Sequence, residues 1–137
     1  MTAITTAPAA SIDTQKLLRL ALRLDAVVTG ANGLAYLLLA GPINDLLGLP
    51  VALQYGIGAF LAVYGVAVGL IAQPARVNRS AALAVVVLNA LWAVVSVAEL
   101  AMGGLGVTTL GAIWVVMQAA TVGGFAALQY LGLRKTG

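Results

Sequence analysis

The chain has 137 residues, of which 62% are hydrophobic and only 8% are charged. A soluble domain normally carries about 25% charged residues, and a core of this size cannot hide so much apolar surface from water. The composition therefore excludes an ordinary soluble domain and predicts that the lipid bilayer surrounds the protein.

The charge and the missing residue types exclude several functions. The net charge is +3, but the seven basic residues are spread over short segments and form no clustered patch for nucleic acid. The absence of Cys and His excludes disulfides, thiolate and imidazole metal ligands, and histidine acid/base chemistry. We expect no cofactor, no metal and no nucleic-acid partner.

The first 15 residues contain no Lys or Arg and are mostly small or polar. We expect residues 1–15 to form a disordered cytoplasmic tail, because they lack the apolar residues that a packed segment needs. Residues 16–137 then form the membrane domain. The basic residues at its start precede an apolar run that is long enough to span, so we expect a retained first helix and not a cleaved signal.

Four apolar segments follow, and each has about the 20 residues that a helix needs to cross a bilayer. They are residues 17–40, 52–72, 80–101 and 109–132, and all four prolines lie outside them. Ser80 is the expected N-cap of the third helix, and Thr108 or Thr109 that of the fourth. Because the connectors are short, consecutive helices are expected to pack as antiparallel neighbours. The predicted fold is an all-α integral membrane four-helix up-down bundle.

Basic residues predict the orientation of this bundle. Cytoplasmic segments of membrane proteins retain Lys and Arg, and each stretch without them here contains one helical hairpin. Both termini and the middle connector are therefore expected in the cytoplasm, with the protein in the inner (plasma) membrane and Asp45 and Glu99 on the far side. The topology-determining residues are Lys16, Arg19, Arg23, Arg76, Arg79, Arg134 and Lys135.

Polar residues form stripes on three of the four segments. At 100° per residue, Asp25, Thr29, Asn32 and Tyr36 fall within about 60° of arc on one helix face. Similar spacings relate Asn89, Trp92, Ser96 and Glu99 in the third segment, and Trp114, Gln118, Thr121 and Gln129 in the fourth. Polar groups facing acyl chains are unfavourable, so we expect the stripes to converge inside the bundle.

Two interpretations of these stripes remain open. They are either hydrogen-bonding glue between helices or a polar track for a small amphiphile, an ion or a proton. The candidate ligand or proton site comprises Asp25, Thr29, Asn32, Asn89, Trp92, Ser96, Gln118 and Thr121. Asp25 lies near the start of its helix, so an ion pair with Arg76, Arg79 or Arg134 is a further alternative.

Small residues four positions apart allow two helices to approach closely. Gly65 and Gly69 form such a pair in the second segment, and Ala120 and Gly124 form another in the fourth. The pairs serve either packing within one chain or contact with a second copy. Leu24-Asp25-Ala26 also recurs as Leu88-Asn89-Ala90, through either a duplicated hairpin or coincidence in an Ala-rich, Leu-rich and Val-rich chain.

Two resemblances bear on function. "RLD", "GP" and "LLGLP" around the first segment, with "LNALW" in the third, resemble small uncharacterised four-helix membrane proteins of high-GC bacteria, a likeness that implies no known activity. The topology and Asp25 are similar to the small multidrug resistance family, whose members have four short helices and one acidic residue in the first. The strong one-sided charge of this chain departs from the weak bias that dual insertion in that family requires.

The sequence contains no nucleophile elbow, no Walker loop and no HExxH motif, and we expect no enzymatic activity. We predict a non-enzymatic accessory or scaffold component of the membrane that associates with itself as a homodimer or with a membrane-protein partner. The alternative is a small proton-coupled carrier, or a membrane protein that binds a lipophilic ligand through the polar stripes.

Overall fold

A computed structural model describes the backbone of residues 2–103 and 106–136 and the side chains of residues 15–103 and 106–135. Within these ranges the chain forms helices and connectors, with no strand. The helices are α1 (Thr2–Leu38), α2 (Ala40–Leu47), α3 (Val51–Ile71), α4 (Arg79–Ala101) and α5 (Thr109–Thr136). Side chains of residues 1–14 lie outside the described part, so the disordered tail over 1–15 stays a prediction.

Three of the helices, α3, α4 and α5, are each long and apolar enough to cross a membrane. Helix α1 meets the same criterion only if it is combined with α2, from which it is bent by 93°. Helix α1 is the least apolar of the long helices because it contains Lys16, Arg19, Arg23, Asp25 and Asn32. In the part of the chain that the structure describes, the regular secondary structure is therefore entirely helical, with three candidate spans, or four if α1 and α2 count as one.

The break between α1 and α2 comes earlier than the predicted end at residue 40. Helix α1 ends at Leu38, and α2 begins at Ala40. Pro42 explains this position, because a proline has no N–H for the carbonyl four residues before it and its ring clashes with that carbonyl, here that of Leu38. Pro42 itself lies in the first turn of α2, where the backbone needs no N–H donor.

The N-cap predicted from the sequence is wrong for α4 and correct for α5. The side chain of Asn78, one residue before α4, accepts from the N–H of Ala81 at 2.9 Å. The expected cap at Ser80 is therefore wrong, since the helix begins at Arg79 and Ser80 lies inside it. For α5 the expectation holds: Thr108 Oγ1 accepts from the N–H of Gly111 at 3.0 Å.

The four long helices pack in the order α3, α1, α5, α4. Helix α1 lies along α3 and α5, and α5 lies along α4, whereas the backbones of α3 and α4 approach each other at very few points. The expectation that all consecutive helices are packed neighbours is thus wrong for α3 and α4. Long side chains cross the gap between these two helices instead.

Glycines bring α1 and α3 into backbone contact. A Cβ added at Gly33 would lie 2.6 Å from the backbone N of Ala62, and one at Gly65 would lie 2.9 Å from that of Gly30. Neither position has room for a side chain. Gly65 of the predicted small-residue pair therefore serves packing inside the chain, while a Cβ at Gly69 would make an ordinary contact of 3.7 Å with Ala26.

We call the end of the bundle with the start of α1 and the α3–α4 connector the basic end. There Arg19 donates to the carbonyls of Ala72, Pro74 and Ala75 after α3, and Arg79 donates to that of Leu133 near the end of α5. These arginines place cations at two helix C-termini, which stabilises the exposed carbonyls and the helix dipoles.

We call the opposite end, with α2, Asp45 and Glu99, the acidic end. There the N–H of Thr108 donates to the carbonyl of Leu47 at 3.0 Å, which joins the start of α5 to the end of α2.

Apolar packing is uneven along the bundle. The buried apolar cluster lies towards the basic end and comprises Leu18, Leu22, Val68, Ala72, Val77, Ala82, Val85 and Leu133. Towards the acidic end, two cavities take the place of such a core. The fold therefore combines a closely packed half with an open half.

Candidate functional site

A buried cluster of polar side chains surrounds Asp25, which is fully buried. Asp25 Oδ1 accepts from the Thr29 hydroxyl at 2.7 Å. Asp25 Oδ2 accepts from Asn89 Nδ2 at 2.7 Å and from Gln129 Nε2 at 2.8 Å. We call Asp25, Thr29, Tyr64, Asn89 and Gln129 the carboxylate cluster. All partners of the carboxylate are neutral, so the ion pair with Arg76, Arg79 or Arg134 that was considered from the sequence is not formed.

Hydrogen bonds within the carboxylate cluster share one direction. Tyr64 donates to Asn89 Oδ1 at 3.1 Å, and Asn89 Nδ2 donates both to Gln129 Oε1, at 3.0 Å, and to Asp25. The amide and hydroxyl donors thus lead towards the carboxyl oxygens of Asp25, which accept. The cluster links α1, α3, α4 and α5. Its central side chain is Asn89 of α4, which bonds to a residue of each of the other three helices.

Two further polar pairs continue from the cluster towards the acidic end. Asn32 Nδ2 donates to Gln118 Oε1 at 2.9 Å, and the Trp114 indole donates to the Tyr36 hydroxyl at 2.9 Å. Both pairs join α1 to α5. Together with the cluster they line up polar groups along the inner faces of these two helices.

The structure therefore brings together most of the sequence-predicted stripe residues, and Thr121 is the exception. Its hydroxyl donates to the carbonyl of Met117 in the preceding turn, at 2.9 Å, and joins none of the interhelical pairs. A threonine in a helix often satisfies its hydroxyl in this way, so its place on the polar face carries little information.

Two adjoining cavities lie between α3 and α4, with α1 and α5 as their floor. The larger, of about 290 Å³, is towards the acidic end, and we call it the acidic-end chamber. Its polar and aromatic lining comprises Tyr36, Gln54, Trp92, Ser96, Glu99, Trp114 and Gln118. The second, of about 230 Å³, is the mid-bundle chamber, and its lining includes Thr29, Asn32, Phe60, Tyr64, Asn89 and Trp92.

The two chambers adjoin each other and share lining residues. Leu61, Trp92, Val95 and Gln118 border both of them. Thr29, Tyr64 and Asn89 belong to the carboxylate cluster and also border the mid-bundle chamber, so the cluster lies beside that chamber. Small-molecule sites are typically concave, mostly apolar and provided with a few polar groups, and the two chambers fit that description.

Aromatic rings bridge the gap between α3 and α4 beside these chambers. The ring of Phe60 stacks on Tyr64 with centroids 5.6 Å apart and on Trp92 with centroids 5.8 Å apart. Stacked rings at such separations attract each other beyond their apolar burial. The contact between Phe60 of α3 and Trp92 of α4 thus connects two helices whose backbones are not in close contact.

Sequence reasoning missed two residues of this site, Tyr64 of the carboxylate cluster and Gln54. Gln54 is the more deeply buried of the two. It stands near the start of α3, whose other residues are mostly small, aliphatic or aromatic, and it is only 1% exposed. Its Nε2 donates to the carbonyls of Ala40 and Leu49, both at 2.9 Å. A single polar side chain in an apolar helix was the available signal, but it belongs to no periodic stripe.

The second predicted small-residue pair lies on the outer surface of the bundle. Ala120 and Gly124 are exposed, and a Cβ added at Gly124 would meet nothing within 4 Å. Contact of this face with a second copy or a membrane partner stays a prediction.

Comparison of the chain with known protein families, with characterised proteins and with solved structures gives no match.

Proposed function

We propose that this protein is a non-enzymatic, multi-pass membrane protein that binds a lipophilic small molecule in the chambers between α3 and α4. One observation carries the proposal, namely that α3 and α4 are separated by cavities with an aromatic lining and a polar floor. Glue between helices needs no such cavity. Gly65 packs inside the chain, whereas Ala120 and Gly124 are exposed, so the scaffold role predicted from the sequence is kept as the second candidate.

In the proposed topology all four long helices cross the membrane, α1 and α2 as one bent segment, and both termini are cytoplasmic. The arginines at the basic end support this orientation, because cytoplasmic segments retain Lys and Arg. Reporter fusions test it. A fluorescent protein after Gly137 should fluoresce, and alkaline phosphatase after Asp45 should be active; the reverse pattern would contradict the topology.

Intrinsic fluorescence offers a direct binding test. The chain has two tryptophans, and both Trp92 and Trp114 line the acidic-end chamber. A brominated alkane such as 2-bromododecane, added to the purified protein in phosphatidylcholine nanodiscs, should quench them in a saturable manner. Quenching that rises without saturation, as expected for a probe merely dissolved in the bilayer, would contradict the proposal.

A substitution that fills the chamber locates the site. Ser96→Phe adds a ring from α4 into the acidic-end chamber, and it should abolish the saturable part of the quenching. Ser80→Phe is the matched control, because Ser80 is exposed at the start of the same helix and far from the tryptophans in sequence. Equal saturable quenching in both variants would place binding elsewhere.

A further inference from the structure

Gln54, which lines the acidic-end chamber, has a buried side-chain acceptor without a donor. Among the side chains that the structure describes, Gln54 Oε1 is the one buried nitrogen or oxygen atom without a hydrogen-bond partner. The two carbonyls that accept from Nε2 fix the amide orientation, so the unpaired atom is the oxygen. Buried polar atoms are almost always paired, and an exception indicates a missing partner. The missing partner is an N–H or O–H donor.

The charge of the chamber restricts that partner further. Glu99 lines the chamber, and its lining includes no Lys or Arg. No basic residue occurs from residue 80 to 133 or from 24 to 75, so the segments of α3, α4 and α5 around the chamber contribute no cation. A carboxylate without a cationic neighbour favours a ligand with positive charge.

The aromatic walls favour the same charge. Trp92, Trp114 and Tyr36 line the chamber with Glu99, and the faces of such rings attract ammonium groups. Both indoles belong to the ring type that binds cations best. The adjoining mid-bundle chamber, bordered by Phe60, Leu61 and Val95, offers apolar surface for a chain attached to the ammonium group.

We infer that the ligand is a lipophilic primary amine in its protonated form, with the ammonium group in the acidic-end chamber and the alkyl chain in the mid-bundle chamber. The ammonium donates to Gln54 Oε1 and lies near Glu99 and the indole faces. A neutral alcohol would satisfy Gln54 but not Glu99, and a quaternary ammonium ion would satisfy Glu99 but not Gln54. This inference rests on the proposed function.

Competition among three compounds with the same chain tests it. Dodecylamine, dodecyltrimethylammonium and dodecanol are titrated against 2-bromododecane in nanodiscs of zwitterionic lipid at pH 7. Dodecylamine should restore tryptophan fluorescence at a concentration about tenfold below that of either other compound, which corresponds to one well-made polar interaction. The comparison needs no substitution of Gln54, whose Nε2 bonds connect α3 to the chain around α2.

Two variants separate the chamber from the general surface charge. Glu99→Gln should weaken dodecylamine binding about tenfold and leave dodecanol unchanged. Asp45→Asn is the matched control, since Asp45 is exposed like Glu99 but does not line the chamber, and its substitution should change neither. For each compound, the concentration that restores tryptophan fluorescence in the variant is divided by that in the native protein. Differences in how the compounds partition into the bilayer cancel in this ratio.

The outcomes distinguish the two proposals. If 2-bromododecane shows no saturable quenching, the proposed function fails and this inference fails with it. If all three compounds compete equally, the chamber binds lipophiles but the assignment of an ammonium ligand is overturned. Equal loss of dodecylamine binding in Asp45→Asn and Glu99→Gln would likewise overturn it, since the effect would come from surface charge.

Discussion

Asn89 and Asp25 lie 64 positions apart in the chain, and the amide of the first donates to the carboxylate of the second at 2.7 Å. Gln129 of α5 donates to the same oxygen, and Tyr64 of α3 reaches the cluster through Asn89. One carboxylate thus holds together helices from both halves of the protein. Its three partners are one hydroxyl and two amides, all of them neutral donors.

The carboxylate cluster should contribute measurably to stability. Asp25→Leu leaves the amides of Asn89 and Gln129 without their acceptor, and unpaired buried donors cost about 1 to 3 kcal/mol. The free energy of unfolding, measured by titration of mixed micelles with a denaturing detergent, should fall by that amount.

Thr121→Val provides the control for that measurement. Thr121 bonds only within its own helix, so its loss should change the free energy of unfolding by no more than about 0.5 kcal/mol. Equal destabilisation by the two variants would mean that the carboxylate cluster contributes no more than an ordinary helical hydroxyl.

Close packing of α1 on α3 predicts opposite effects at two glycines of one helix. Gly33→Ala would place a Cβ within 2.6 Å of the backbone of Ala62 and should destabilise the protein by about 1 to 3 kcal/mol. Gly30→Ala meets nothing within 4 Å and should be neutral, or stabilise the helix by up to about 1 kcal/mol. Thermal denaturation in detergent measures both, and a lower melting temperature for Gly30→Ala alone would refute the packing.

The N-cap of α4 predicts different effects on stability for substitutions at Asn78 and Ser80. Asn78→Ala removes the side chain that accepts from Ala81, which should cost about 1 kcal/mol. Ser80→Ala should have little effect, because Ser80 is exposed inside the helix. Chemical denaturation of both variants in the same detergent decides between them, and a larger loss for Ser80→Ala would contradict the observed start of the helix.

The bond between Trp114 and Tyr36 should be visible by fluorescence. In a Trp92→Phe background only Trp114 emits, and Tyr36→Phe removes the acceptor of its indole N–H. The emission maximum should then move to shorter wavelength, because the excited indole loses a polar partner. Tyr55→Phe is the control, as Tyr55 is exposed and should leave the spectrum unchanged. An identical spectrum in all three proteins would rule out the bond.

Local composition was sufficient to predict the bounds of two helices and the inward face of a third. Helices α3 and α4 begin and end within one residue of segments 52–72 and 80–101, because long apolar runs bounded by Pro and polar residues have few alternatives. The face shared by Asp25, Thr29 and Asn32 turns inwards, as expected because polar groups facing acyl chains are unfavourable. These features depend on local composition, which the sequence states directly.

Features that depend on contacts between distant segments were not predictable. The separation of α3 from α4 follows from how closely glycines draw α3 onto α1, and no pattern within α3 reveals that. Gln54 was missed because its partners are backbone carbonyls, which leave no trace in side-chain spacing. Ser80 and Asn78 are both good capping residues, and only the first helical residue distinguishes them.

The partners of Asp25 also bear on the order in which the protein is made. Asn89 and Gln129 follow it by 64 and 104 positions. In the proposed topology, the ribosome has therefore not yet synthesised either amide when α1 is inserted, and Thr29 is the one member of the final donor set that is already present. With that topology the carboxylate acquires its permanent surroundings only after α5 is inserted, and a chain truncated before α5 should retain an incompletely solvated acid.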